Sequence, residues 1–180
     1  MDAAALHYFQ SIIGRVPFLD GLAVFFASYM PYLFVAAFIL MPYARGTFGV
    51  GSPLLRKQRR LYFALMTVLA LLIAWGIALH AIRYGYPRVR PFSEFGWAPL
   101  VTHKTSPSFP SGHATFMFTL AAVLWQLKRS WGYWFFGLAA VTGIARVYSL
   151  VHYPTDILAG ALIGIATVYL VKRILIPTRQ

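Results

Sequence analysis

Two short clusters of polar residues interrupt an otherwise apolar chain, and both carry side chains that can move protons or hold anions. The first is Pro110-Ser111-Gly112-His113. Proline stops the preceding structure, serine caps, glycine lets backbone approach a ligand closely, and an apolar helix follows. Unpaired amides at such a helix start form an anion site. Taken alone, the tetrapeptide reads first as a plain capped helix. His113 in the first turn shifts the reading towards function, because a proton donor beside an anion site is what phosphoryl or sulfuryl chemistry needs.

The second cluster runs from Arg146 to Asp156. Pro154 favours extended geometry at Tyr153 and suits the first turn of a helix, which places His152 just before that helix and Asp156 inside it. Asp156 can then accept a hydrogen bond from one imidazole nitrogen and leave the other free and nucleophilic. A lone histidine at a membrane surface is usually an interfacial residue. Its pairing with Asp156 and the upstream Arg146 reverses that reading. Arg83, Arg90 and Arg146 supply positive charge in forks that suit phosphate oxygens. Arg88 and Lys104 read instead as snorkelling anchors of helix ends; His7, His80 and His103 read as ordinary residues.

Composition sets the frame in which these clusters work. With 59% hydrophobic residues and a mean hydropathy of +0.66, the 180-residue chain lies outside the soluble globular range. It contains no cysteine, which excludes disulfides, thiolate metal sites and cysteine nucleophiles. Its four acids are Asp2, Asp20, Glu94 and Asp156, too few for a two-metal or paired-carboxylate site unless distant ones converge.

The elements that must position the clusters are membrane helices. Crossing about 30 Å of hydrocarbon takes about 20 mostly apolar residues. Candidate spans are 21–43, 61–82, 112–127, 133–151 and 155–175, with Pro31 expected to kink the first and the third expected to sit partly inside the protein. Residues 1–18, with Leu6, Phe9, Ile13 and Val16 at helical spacing, read as an interfacial amphipathic helix; a sixth, poorly apolar span is the rival. No uninterrupted apolar run precedes a small-residue cleavage site, so a cleaved signal peptide is disfavoured. Gly160 and Gly164 read as a helix contact of small residues. The expected fold is thus a single all-α integral membrane domain over 1–180, a bundle of five to six transmembrane helices with an N-terminal amphipathic helix.

The formal charge of +12 is a topology signal rather than a sign of nucleic acid. Arg45, Arg56, Lys57, Arg59, Arg60, Lys128, Arg129, Lys172, Arg173 and Arg179 share one side, and all four acids lie on the other. The positive-inside rule puts the basic side and the C-terminus in the cytoplasm, and both clusters outside.

In order and spacing the residues resemble the type 2 phosphatidic acid phosphatase superfamily, whose motifs are KxxxxxxRP, PSGH and SRxxxxxHxxxD. Here they stand as Arg83-x6-Arg90-Pro91, Pro110-Ser111-Gly112-His113 and Ala145-Arg146-x5-His152-x3-Asp156, within 83–91, 110–113 and 145–156. Arg83 replaces the family lysine and Ala145 the family serine. The resemblance implies a lipid phosphatase that needs no metal or other cofactor. His152 would attack phosphorus, oriented by Asp156, and His113 would protonate the leaving oxygen. Arg83, Arg90, Ser111, Gly112 and Arg146 would hold the phosphoryl oxygens.

Within that superfamily the compact length, the amphipathic start, Pro17 and Asp20 look like the bacitracin-resistance type of undecaprenyl-diphosphate phosphatase. The implied partners are a lipid phosphate or diphosphate and the bacterial cytoplasmic membrane, with the site facing the exterior; nothing demands a protein partner. Phosphatidylglycerophosphate, phosphatidate or lipid A is the alternative substrate, and a non-catalytic lipid-phosphate binding or transport protein is the alternative of another class. Specificity is expected from the lateral groove between helices and from Ser93, Glu94, Phe95 and Trp97, with Glu94 read as a solvated loop carboxylate.

Overall fold

The structure, a computed structural model, describes residues 2–44, 52–103 and 105–175, so Arg45, Lys104 and Arg179 lie outside the described residues. All regular structure among the described residues is helical. Three helices are long and apolar enough to cross a membrane by themselves: α2 (17–44), α3 (Pro53–Gly85) and α7 (Pro154–Leu175). The other two long helices are α5 (Gly112–Leu127) and α6 (Arg129–Tyr148). A short α1 (Asp2–Ile12) precedes them, and a single turn, α4 (Pro91–Glu94), lies in the long connection before α5.

At 16 residues, α5 is about 24 Å long, too short to face lipid along a full span. It lies instead at the centre of the bundle, packed mainly on α6 and α7 and walled by α3. Met117, Leu120, Ala121, Val123 and Leu124 are buried there with Met66 and Ala70 of α3, Trp131 and Phe135 of α6, and Val168 and Val171 of α7. The Gly160/Gly164 contact lies at its heart. A Cβ on Gly164 would stand 2.7 Å from the Thr115 carbonyl, and one on Gly160 would stand 2.8 Å from the Ser111 carbonyl. Only glycine lets α7 come that close to the backbone of α5.

Two of the helix boundaries that differ from the sequence expectation have clear local causes. The second span begins at Pro53, because Ser52 accepts a hydrogen bond from the Leu55 amide and Pro53 fits the first helical turn. Arg56, Lys57, Arg59 and Arg60 therefore ride on a continuous helix of about 50 Å instead of a connection. The fourth span ends three residues early, at Tyr148. Leu150 enters the left-handed region (φ +63°), its amide bonds the Val147 carbonyl, and the Val151 amide bonds the Arg146 carbonyl. This pair of bonds is a Schellman stop with leucine where glycine is usual.

The N-terminal α1, about 16 Å long, cannot cross a bilayer. It seats Leu6, Phe9 and Ile13 against Val147, Leu150 and Tyr153 at the α6–α7 corner. That corner carries the second polar cluster.

The glycine contact has a direct test. Gly164→Val should destabilise the detergent-solubilised protein by about 1–3 kcal/mol or more through overpacking. Gly137→Ala, in a helix interior where a Cβ meets nothing within 4 Å, should keep or slightly raise Tm. Equal thermal unfolding of the two variants would show that α5 and α7 do not pack through Gly164.

Candidate active site

The two clusters meet because the α6–α7 corner folds back on the start of α5. The Ser111 amide donates to the backbone carbonyl of Asp156 at 3.0 Å, joining the first turn of α5 to the first turn of α7. Ser111 is fully buried, and its hydroxyl accepts from the Ala114 amide at 3.4 Å, the cap expected from the sequence. Its side chain therefore completes the helix start beneath the cavity instead of lining it.

His152 and Asp156 form the pair expected from their spacing. His152 Nδ1 lies 3.3 Å from Asp156 Oδ2, and the same oxygen accepts from the Tyr153 amide at 2.9 Å. With Asp156 accepting the Nδ1 proton, Nε2 keeps its lone pair and faces the cavity side. Both residues are almost fully buried. Burial first, then the Arg146 and Arg90 guanidiniums, hold His152 well below the ordinary imidazole range, so the ring is neutral at pH 7.

The three expected arginines converge but are not equivalent. Arg90 is 2% exposed, and every one of its N–H groups is used within the protein. Nε donates to the Ser106 carbonyl, Nη2 to the Ser106 hydroxyl and the Pro107 carbonyl, and Nη1 to the Val151 carbonyl at 2.7 Å. The remaining Nη1 proton meets His152 Nε2 at 3.2 Å. Burial and the Arg83 charge bring its pKa down to about 10, which leaves it cationic. Arg90 thus clamps two loops to the face of the histidine.

Arg83 and Arg146 are each held by one bond: Arg83 Nη2 to the Pro110 carbonyl at 3.0 Å, Arg146 Nη1 to the Ala27 carbonyl at 2.9 Å. The buried Nε–H of each makes no hydrogen bond among the described residues. Ala27 is available because Pro31, four residues on, has no N–H to give it. A π-helical turn, Phe25–Tyr29, accommodates the proline, so the expected kink in the first span also supplies a ligand for Arg146.

A cavity of about 410 Å³ gathers Arg83, Arg90, Gly112, His113 and His152. Arg146 lines an adjoining pocket that shares His103 and His113 with the first. From the charged end the cavity runs between α2 and α3 along Pro31, Tyr32, Val35, Trp75 and Leu79, with Phe116 of α5 beneath. It is an amphipathic slot with cations and imidazoles at one end and an apolar lateral passage at the other. Asp156 lies behind His152, outside the cavity.

Sequence reasoning passed over two residues that the fold brings here, His80 and His103. His80 lines the cavity beside Trp75, and the His103 ring centroid is 6.0 Å from that of His152. For His80 the signal was available, since it lies nearly one turn before Arg83 on α3; His103 sits in a loop where no periodicity points. Conversely, Phe95 and Trp97 stack on each other and against His7 of α1, away from the cavity. Ser93 and Glu94 are exposed, and Glu94 accepts from the Tyr153 hydroxyl. None of these four lines the cavity, and Phe95 and Trp97 pack against α1.

The sequence profile described as the PAP2 superfamily matches residues 64–179. The chain is 26% identical, over 92% of its own length and 76% of the relative's, to the bacitracin transport permease protein BcrC of Bacillus licheniformis. It is 29% identical, over 86% of its length and 74% of the relative's, to the undecaprenyl-diphosphatase BcrC of Bacillus subtilis. The crystal structure of Aquifex aeolicus LpxE superposes with a TM-score of 0.66, covering 93% of this chain and 94% of that one at 27% identity.

The electrostatics of the pair predict a protonation state. In ¹⁵N-histidine NMR spectra, His152 should stay neutral as pH falls through about 6.5, where an unperturbed imidazole gains its proton. Protonation of His152 at or above that pH would show that Arg90 and Arg146 do not act on the ring as described.

Proposed function

Since the chain belongs to the PAP2 superfamily, we propose that it hydrolyses a lipid diphosphate at the outer face of a bacterial cytoplasmic membrane, converting undecaprenyl diphosphate to undecaprenyl phosphate. The observation that carries this reading is the joining of a paired, neutral histidine to an amphipathic lateral slot. The slot suits a substrate with an anionic head and an apolar tail that arrives from within the bilayer. The diphosphate is favoured by likeness to the Bacillus subtilis relative across most of both chains.

In the proposed chemistry His152 Nε2 attacks the terminal phosphorus and forms an N–P bond as the P–O bond to the lipid phosphate breaks. His113, in the first turn of α5, gives a proton to the departing oxygen. Water then attacks the phosphohistidine with His113 as base, which frees inorganic phosphate and restores both imidazoles. The unpaired Nε–H groups of Arg83 and Arg146 and the start of α5 at Gly112 meet the charge that spreads over the phosphoryl oxygens. The steps proposed here call on no metal ion.

A transport or binding role is the second reading, favoured by the permease name of the Bacillus licheniformis relative. It leaves the His152–Asp156 pair without a task.

Phosphate release by purified protein from diphosphate isoprenoids and monophosphate glycerolipids in one detergent separates the readings. Wild type should act on the isoprenoid diphosphate in EDTA and be inhibited by vanadate. His152→Ala should lose more than about 1,000-fold in kcat, and His113→Ala about 10²–10⁴-fold. Release from no lipid, or equal release by His152→Ala, would rule the mechanism out. Preference for a glycerolipid or lipid A monophosphate would change the substrate.

Orientation has its own test, made simple by the absence of native cysteine. A cysteine added at the C-terminus should resist an impermeant maleimide in intact cells, whereas one at exposed Tyr84 should react. The reverse pattern would place the site in the cytoplasm.

A further inference from the structure

Arg88 is none of the residues that the three motifs specify, and a snorkelling anchor would send its charge to solvent. It does the opposite. Nη1 donates to Asp156 Oδ1 at 3.0 Å and to the Thr155 hydroxyl at 2.8 Å. Nη2 donates to Asp2 Oδ2 of α1 at 3.1 Å, and Asp2 also accepts from Thr155. The guanidinium carbon stands 3.6 Å from the centroid of the Tyr153 ring. The side chain is 23% exposed, against 0% for Asp156.

The two oxygens of Asp156 are thereby divided. Oδ2 serves His152 and the Tyr153 amide, while Oδ1 is held by Arg88. Rotation of the carboxylate about its Cβ–Cγ bond displaces both oxygens together, so the Arg88 bond at Oδ1 adds to the two bonds at Oδ2 in holding its plane. Arg88 is itself held from behind by Asp2 and, on one face, by Tyr153, so the orientation of Asp156 depends on where α1 docks.

We propose that Arg88 is a positioning residue for the catalytic pair and that Asp2 of α1 is its clamp. Together they orient Asp156 so that His152 is kept as the Nδ1–H tautomer with Nε2 ready to attack. The inference rests on reading His152 and Asp156 as nucleophile and orienting acid. It adds that α1, outside the three motifs, contributes to the reaction.

The test uses the full chain and the lipid that wild type hydrolyses, with ¹⁵N-histidine spectra as a readout independent of turnover. Arg88→Ala should lower kcat about 10–100-fold, as expected for a misplaced reacting group, with KM within twofold of wild type. Arg88→Lys, which restores charge but cannot reach both carboxylates, should recover part of that loss. Asp2→Asn should lower kcat roughly threefold alone and add nothing in the Arg88→Ala background, because its effect passes through Arg88. In Arg88→Ala the His152 spectrum should move from the Nδ1–H form to a mixture of tautomers.

Unchanged kcat, a loss confined to KM, independent multiplication of the two effects, or an unchanged His152 spectrum would each overturn the proposal. If Arg88→Ala does not fold, Asp2→Asn and Thr155→Val decide between the same outcomes. If wild type hydrolyses no lipid, the functional reading fails, and the tautomer measurement still judges the clamp.

Discussion

The buried carboxylate of Asp156 is the constraint around which the rest of the site is arranged. An isolated charge taken from water into a protein interior costs several kcal/mol even after relaxation. It persists only where hydrogen bonds and opposite charge surround it. Here the imidazole of His152, the Tyr153 amide and the guanidinium of Arg88 occupy its two oxygens, and its backbone carbonyl receives the Ser111 amide. One residue thus joins four pieces of chain: the start of α5, the helix-free segment at Arg88, the α6–α7 corner and, through Arg88, helix α1.

The arginines divide labour along the same lines. Arg90 spends all its donors on the Ser106–Pro107 and Val151–His152 segments and fixes the loops that frame His152. Arg83 and Arg146 keep a buried N–H unused beside the imidazoles. A buried donor without a partner costs about 1–3 kcal/mol. A phosphoryl group would relieve that cost twice, with donors already in place before charge develops on it. This is the physical content of a preorganised anion site: the fold bears the cost of mutually repelling cations, and the anion returns it on binding.

How much of this was legible in the sequence depended on whether the signal was local. Helix identity, the cap at Ser111, the His152–Asp156 pairing and the Gly160/Gly164 contact are set by neighbours within one or two turns, and all were readable. Helix ends were less so. The early stop of α6 turns on a leucine in the left-handed region, which no propensity favours. Arg88 was misread because its partners, Asp2 and Asp156, lie 86 and 68 residues away. A local clue did exist. Arg88 lies two residues from Arg90 in a stretch outside any helix, and both side chains reach the Val151–Asp156 segment. His103 had no such clue, since loop residues obey no period.

Two costly features at the site are each offset by something nearby. Leucine in the left-handed region costs about 1–2 kcal/mol. Leu150 occupies it fully buried, and burial of a leucine side chain contributes about 1.5–3 kcal/mol. The turn therefore holds, and it delivers His152 two residues later. Pro31 withholds a hydrogen bond inside a membrane helix, where an orphan carbonyl is expensive. Arg146 is a charge inside the bundle that needs an acceptor. Each defect is the partner the other lacks: the carbonyl of Ala27, left without a donor by Pro31, accepts from Arg146. A helix without the proline would keep that carbonyl for its own ladder and leave Arg146 with two unsatisfied nitrogens in place of one. The proline that looks like a flaw in the first span is therefore part of what allows an arginine to stand at the proposed phosphate site within a membrane.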